Sequence, residues 1–293
     1  MAHSAILLLA LAILAHLIAD FILQTDVIAE AKAAPDGRAW RGLGIHAGIV
    51  AVCLLPFAAA YGPRGLGYLI VVAVAHGLID RTKAILNRRA VTADAPPPPV
   101  SGAASAEAAA APDAPGDRAW TPVPAALFLA DQAAHFVVLL AGASVLLLGQ
   151  PTQAAWGDVL NAVGAHLLPV SHQLQAVIVL VVLLDLAIVN VRGGFFLVGT
   201  LLAPRGFAGG SAEGPERVGA TIGILERLIV CVLVLAGQAA AIGFVVAAKT
   251  LARFRQLDDR HFAEYYLVGT LASVTLALST SLVALAAISA ALR

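Results

Sequence analysis

The sequence predicts an all-α protein, a polytopic transmembrane helical bundle of about seven spans with a disordered Pro/Ala-rich cytoplasmic connector. Three observations carry that prediction. Hydrophobic residues make up 60% of the 293 and charged residues only 12%, with a mean hydropathy of +0.89, far from the balance of a water-soluble domain. Apolar runs near span length recur at 4–23, 43–61, 66–80, 122–149, 173–190, 220–248 and 264–291. Between the third and fourth runs, VTADAPPPPVSGAASAEAAAAPDAPGDRAW (91–120) has no periodic apolar face and too little to bury.

Each element follows from local signals. The first run lacks a basic leader and carries polar residues where a signal peptide would be cleaved, so it reads as a retained span. Thr121 and Pro122 form an N-cap and first-turn pair for the fourth helix. The basic stretches 191–219 and 249–263 do not fit simple alternation; either FFLVGTLLAP (195–204), too short to cross after Gly193-Gly194, is a re-entrant or interfacial piece, or one of the later segments does not cross fully. The chain divides into an N-terminal unit (1–90 and 121–150), the linker (91–120) and a C-terminal unit (173–293).

Charge placement orients the first half. Lys32, Arg38 and Arg41 follow the first run and Arg81, Lys83, Arg88 and Arg89 follow the third, whereas 150–172 carries no Lys or Arg. The N-terminus is therefore expected outside and the connector inside. Lys+Arg and Asp+Glu number 18 each, which excludes an electrostatic case for nucleic acid. Cys53 and Cys231 lie in apolar runs and read as small buried hydrophobes. No Walker A, Rossmann, HExxH or GxSxG pattern occurs, and no nucleotide cofactor is indicated.

The sharpest feature is a set of ionisable pairs inside apolar runs: His16/Asp20, His76/Asp80 and Asp131/His135. Each is spaced i,i+4, so both side chains share a helix face. Carboxylates at membrane depth are costly and belong against one another or a partner. The first and third runs descend and the fourth ascends, so the reversed third pair puts the aspartates at one level and the histidines about 6 Å deeper. Such nitrogen and oxygen ligands suit zinc, manganese or iron, with Asp20 or Asp131 as the base that takes a proton from bound water. A proton or ion pathway and a hydrogen-bonded structural core are the other readings of the same residues.

Gln24, His46 and Asp185 are candidate supporting residues around those ligands. In the C-terminal unit, Arg227, Lys249 and Arg253 are candidate contacts to lipid headgroups or a small anionic substrate, and Glu226 and Glu264 require a basic partner.

HLIADFILQTDVIAE (16–30), HGLIDRTK (76–83) and DQAAHFVVL (131–139) resemble an uncharacterised family of bacterial integral membrane proteins classed as a domain of unknown function. The block from Gly219 to Leu257, with FAEYYLVGTLAS after it, resembles the C-terminal extension of longer members. More loosely, His16/Asp20, His76/Asp80 and Asp131/His135 are similar to the positions of membrane-bound metal-dependent hydrolases, and that resemblance implies hydrolysis at a metal centre. The resulting expectation is an inner-membrane, metal-dependent hydrolase of a phosphorylated or lipid-linked substrate. A proton-coupled transporter or channel and a structural membrane protein are the alternatives.

Overall fold

A computed structural model describes residues 2–93, 122–153, 157–159, 162, 173–202 and 215–293. The expectations for Thr121 and for the connector from residue 94 onward lie outside these residues. Among the described residues the chain is helical, without a strand.

Helix α1 (Ala2–Leu17) runs into a π-helical turn (Ile18–Leu23), and the chain then extends through Gln24 and Thr25. A short α2 (Asp26–Ala33) leads to α3 (Arg38–Tyr61). Tyr61-Gly62-Pro63 makes the next corner: Gly62 has φ +59°, a left-handed value suited to glycine after a helix end, and Pro63 opens α4 (Pro63–Ala93). The next helices are α5 (Val123–Leu146) and α6 (Gln173–Ile188). A second π turn (Val189–Gly193) connects α6 to α7 (Gly194–Leu202). The C-terminal helices are α8 (Pro215–Leu235), α9 (Ile242–Ala252) and α10 (Arg260–Ala291).

Among the described residues, five helices are long and apolar enough to cross a membrane: His3–Leu23, Arg38–Tyr61, Val123–Leu146, Gln173–Leu202 and Phe262–Ala291. The expected count of about seven is met by five, and the other two segments have different forms. Segment 66–80 lies within the 31-residue α4, most of whose charges gather in its second half from Asp80 onward. Segment 220–248 is broken after α8, where Gly237 at φ +72° and a hydrogen bond from the Gln238 amide to the Leu233 carbonyl end the helix. Nor does the stretch 195–202 stand apart from the helix before it. The π turn lets α7 continue α6 as one 30-residue helical run.

Helix α1 stands at the centre. Half of its span window is buried, against 22–39% for the other four, because it is apolar on every side. Leu7 and Ala10 pack with Val177, Val181, Val230 and Ala277 of the C-terminal helices. Leu8, Ala12, Ala15 and Ala19 pack with Val50, Leu54, Tyr68 and Leu139 of α3, α4 and α5. Tyr68 is fully buried and donates to the Leu139 carbonyl at 3.2 Å, with Gly142 opposite its ring. Val52, Leu55, Val74 and Val137 turn apolar side chains outward, as lipid-facing positions require.

Candidate metal centre

Four histidines converge between α1, α3, α4 and α5. His16, His46, His76 and His135 are each 2% exposed or less. The His76 and His135 ring centroids are 4.0 Å apart, His46 and His76 4.9 Å, and His16 and His135 5.0 Å. The i,i+4 spacing brings each His16, His76 and His135 to the carboxylate on its own helix only loosely, at 3.8–3.9 Å. The tighter contacts run between helices.

Asp20 makes most of them. It sits in the π turn, where the wider winding carries it away from His16 and towards α3 and α4. Its Oδ1 is 3.1 Å from His46 Nε2 and 3.1 Å from His76 Nε2, and those two nitrogens are 2.9 Å apart. Its Oδ2 faces His16 Nε2 at 3.9 Å. Hydrogen bonding cannot satisfy all three atoms of that triangle with neutral rings. Two Nε–H groups would oppose each other, and one would leave a nitrogen lone pair against a carboxylate. A cation within the triangle satisfies all three. Ligands of a tetrahedral ion bound at about 2.0–2.1 Å stand about 3.3 Å apart, close to these separations.

Among the described residues, three groups have ligand atoms within 4.8 Å of one another: His16, Asp20 and His135; Asp20, His46 and His76; and His76, Asp80 and His135. These groups could hold a metal. The first two share Asp20 alone, whose two oxygens face opposite sides. His135 donates through Nδ1–H to the Asp131 carbonyl at 2.9 Å, while its buried Nε2 has no hydrogen-bond partner among the described residues.

The other two aspartates are neutralised by lysines. Lys32, reaching back from α2, donates to Asp80 Oδ2 at 2.7 Å and to Gln24. Lys83 donates to Asp131 Oδ2 at 2.7 Å, and Gln132 donates to the same oxygen at 3.1 Å. Gln132 Oε1 also lies 3.3 Å from His16 Nε2. Asp20 thus packs directly among the histidines, while Asp80 and Asp131 are each paired with a lysine, Lys32 and Lys83.

Asp131, expected as ligand and base, belongs to none of the three metal-capable groups. His46, expected in support, stands at the centre of one. Lys32, Lys83 and Gln132 carry no motif, and the two lysines resemble ordinary topology-setting charges in a sequence. Asp185 also stands outside the three groups, and its buried Oδ1 has no hydrogen-bond partner among the described residues.

The C-terminal candidates lie apart from the histidines. Arg227, expected at a headgroup, is 4% exposed and donates to the Asn190 carbonyl and the Ser273 hydroxyl. Lys249 pairs with Glu226 instead of sharing a free face with Arg253, whose guanidinium lies over the Phe262 ring. Glu264 pairs with Arg260 on the exposed side of α10.

A family model described as a protein of unknown function (DUF3307) matches residues 8–163, just over half of the chain. No curated protein and no solved structure matches the chain.

Proposed function

We propose that the chain, which belongs to the DUF3307 family, is a metal-dependent membrane hydrolase. The observation that carries this reading is the Asp20, His46 and His76 triangle, whose three ligand atoms are 2.9–3.1 Å apart and lack enough protons to satisfy one another. His16 and His135, which with Asp20 form another metal-capable group, would hold a second ion. Zinc, manganese or iron fits this nitrogen-rich set with no thiolate.

A metal held here supplies an activated water and polarises a phosphoryl or carbonyl oxygen. The protein's own part is to keep the ligands dry and to tune them. Asp80, held by Lys32 beside His76, is the nearest carboxylate to accept a proton. An apolar cavity of about 330 Å³ lined by Leu7, Leu11, Ala15, Ile18, Cys53 and Phe57 supports a lipid-linked substrate. The setting is a bacterial inner membrane, with α4 and α8 crossing beside the five apolar helices to give about seven spans. Arg253 contacts headgroups from the interface.

Metal analysis of the purified, metal-replete full chain tests this reading, together with turnover of phosphorylated lipids in detergent. Two ions per chain and chelator-sensitive turnover without a gradient are expected. Absence of stoichiometric metal would sink it. The linked contacts His16–Gln132 and Asp20–His46–His76 also suit a proton relay, which instead predicts proton flux in liposomes and no turnover.

A further inference from the structure

Two arginines tie the backbone around Asp20 to the C-terminal helices. The helical run that begins with α1 ends at Leu23, so the Phe21 carbonyl is one of the last four of a helix and has no intrahelical amide to accept from. Arg192 fills that place, its Nε donating to Phe21 O at 3.0 Å. A cation at this position also complements the helix C-terminus.

Arg192 itself lies in the second π turn, where the i→i+5 pattern again disturbs carbonyl pairing. The Asn190 carbonyl of that turn accepts from Arg227 Nε at 2.6 Å, and Arg227 Nη1 donates to Ser273 Oγ of α10 at 3.2 Å. Asn190 Nδ2 donates to Thr280 Oγ1 of the same helix at 3.0 Å. A connected path therefore runs from α10 and α8 through the second π turn to the residue that follows Asp20.

Gly194 makes room for this path, and Gly193 beside it packs against Phe21. A Cβ on Gly194 would lie 2.5 Å from Arg227 Nε, so only glycine lets the guanidinium pass. At Gly193 the Phe21 ring closes to 3.8 Å from where a Cβ would stand. The Phe21 ring also stacks on Phe196, with centroids 6.0 Å apart, and the Arg192 guanidinium covers the same Phe196 ring.

We propose that Arg192 and Arg227 are positioning residues: by holding the Phe21 and Asn190 carbonyls they keep both π turns in place, and so fix the Asp20 carboxylate between His46 and His76. The proposal goes beyond the hydrolase reading and survives its failure, because Asp20 touches both rings whether or not a metal binds. It also gives the C-terminal helices, which lie beyond the family match, a part in building the centre.

The test uses ring ¹⁵N spectra of the histidine-labelled, metal-free full chain in detergent, with rings assigned by single His→Gln variants. Arg192→Met is expected to shift the His46 and His76 signals in the same sense as Asp20→Asn does, while the His135 Nδ1 signal stays in place. Arg192→Lys, which keeps a donor and a charge, is expected to remain near the unaltered chain. Gly194→Val, which blocks Arg227, should reproduce the Arg192→Met pattern. Unchanged His46 and His76 signals in a folded Arg192→Met protein would overturn the proposal, as would a shift of His135 equal to theirs. If Arg192→Met is not recovered folded, Arg192→Gln decides between the same two outcomes. Metal content plays no part in this measurement, so loss of the hydrolase reading leaves the result intact.

Discussion

His46 has no carboxylate four residues away, yet its Nε2 lies within 3.5 Å of His76, Asp20 and Asp80. The paired motifs made three histidines legible in the sequence, because i,i+4 spacing is visible without any knowledge of neighbouring helices. A ligand that comes alone from another helix leaves no such mark. For the same reason Lys32 and Lys83 are recognisable only as positive charges: composition does not say that their side chains turn inward. Two predictions follow from these placements. His46→Ala is expected to weaken metal binding at least about tenfold, whereas Asp131→Asn, outside the metal-capable groups, leaves metal content unchanged; elemental analysis of the purified variants checks both. Lys83→Met leaves the buried Asp131 carboxylate without its cation and is expected to cost about 3 kcal/mol of stability. Adding Asp131→Leu removes the stranded charge, so thermal unfolding of the double variant should recover most of the loss.

At the scale of elements, apolar run length locates the spans well, and single-residue geometry decides what those runs become. The break at Gly237 shortens one run into two helices, and Ala-Gly-Gln after an apolar stretch is a readable stop signal. The π turns are different, since one extra residue per turn changes no composition and no hydropathy. Ile18–Leu23 closes the first apolar run and Val189–Gly193 straddles the end of the run at 173–190, with no break in hydropathy to mark either. The α4–α5 contact gives a direct prediction. A Cβ on Gly142 would lie 3.2 Å from the Tyr68 ring, which α4 holds fully buried. Gly142→Val must therefore separate the helices, with an expected cost of about 1–3 kcal/mol, and the separation should appear as a lower unfolding temperature together with weaker metal binding at His76 and His135.

Across the whole molecule, α1 belongs to two cores at once. Leu7 faces the C-terminal helices and the adjacent Leu8 faces α3, α4 and α5, and both are nearly fully buried. The division into an N-terminal and a C-terminal unit therefore describes the sequence better than the packing. Leu7→Ala and Leu8→Ala are each expected to destabilise the protein by about 2–5 kcal/mol. A single shared unfolding transition should move down in both variants, as followed by differential scanning in detergent. Two separable transitions, each answering to one variant, would instead mean that the cores fold independently.

The central place of α1 has a consequence for biosynthesis. This helix leaves the ribosome before the described helices it packs against, and its partner α6 begins only at Gln173. Until α3 and α4 arrive, Asp20 has neither His46 nor His76 beside it, and until the second π turn is made the Phe21 carbonyl has no arginine. The nascent α1 must wait in the translocon or at the bilayer interface with an uncompensated carboxylate, so the order of synthesis is the reverse of the order in which this helix can be satisfied.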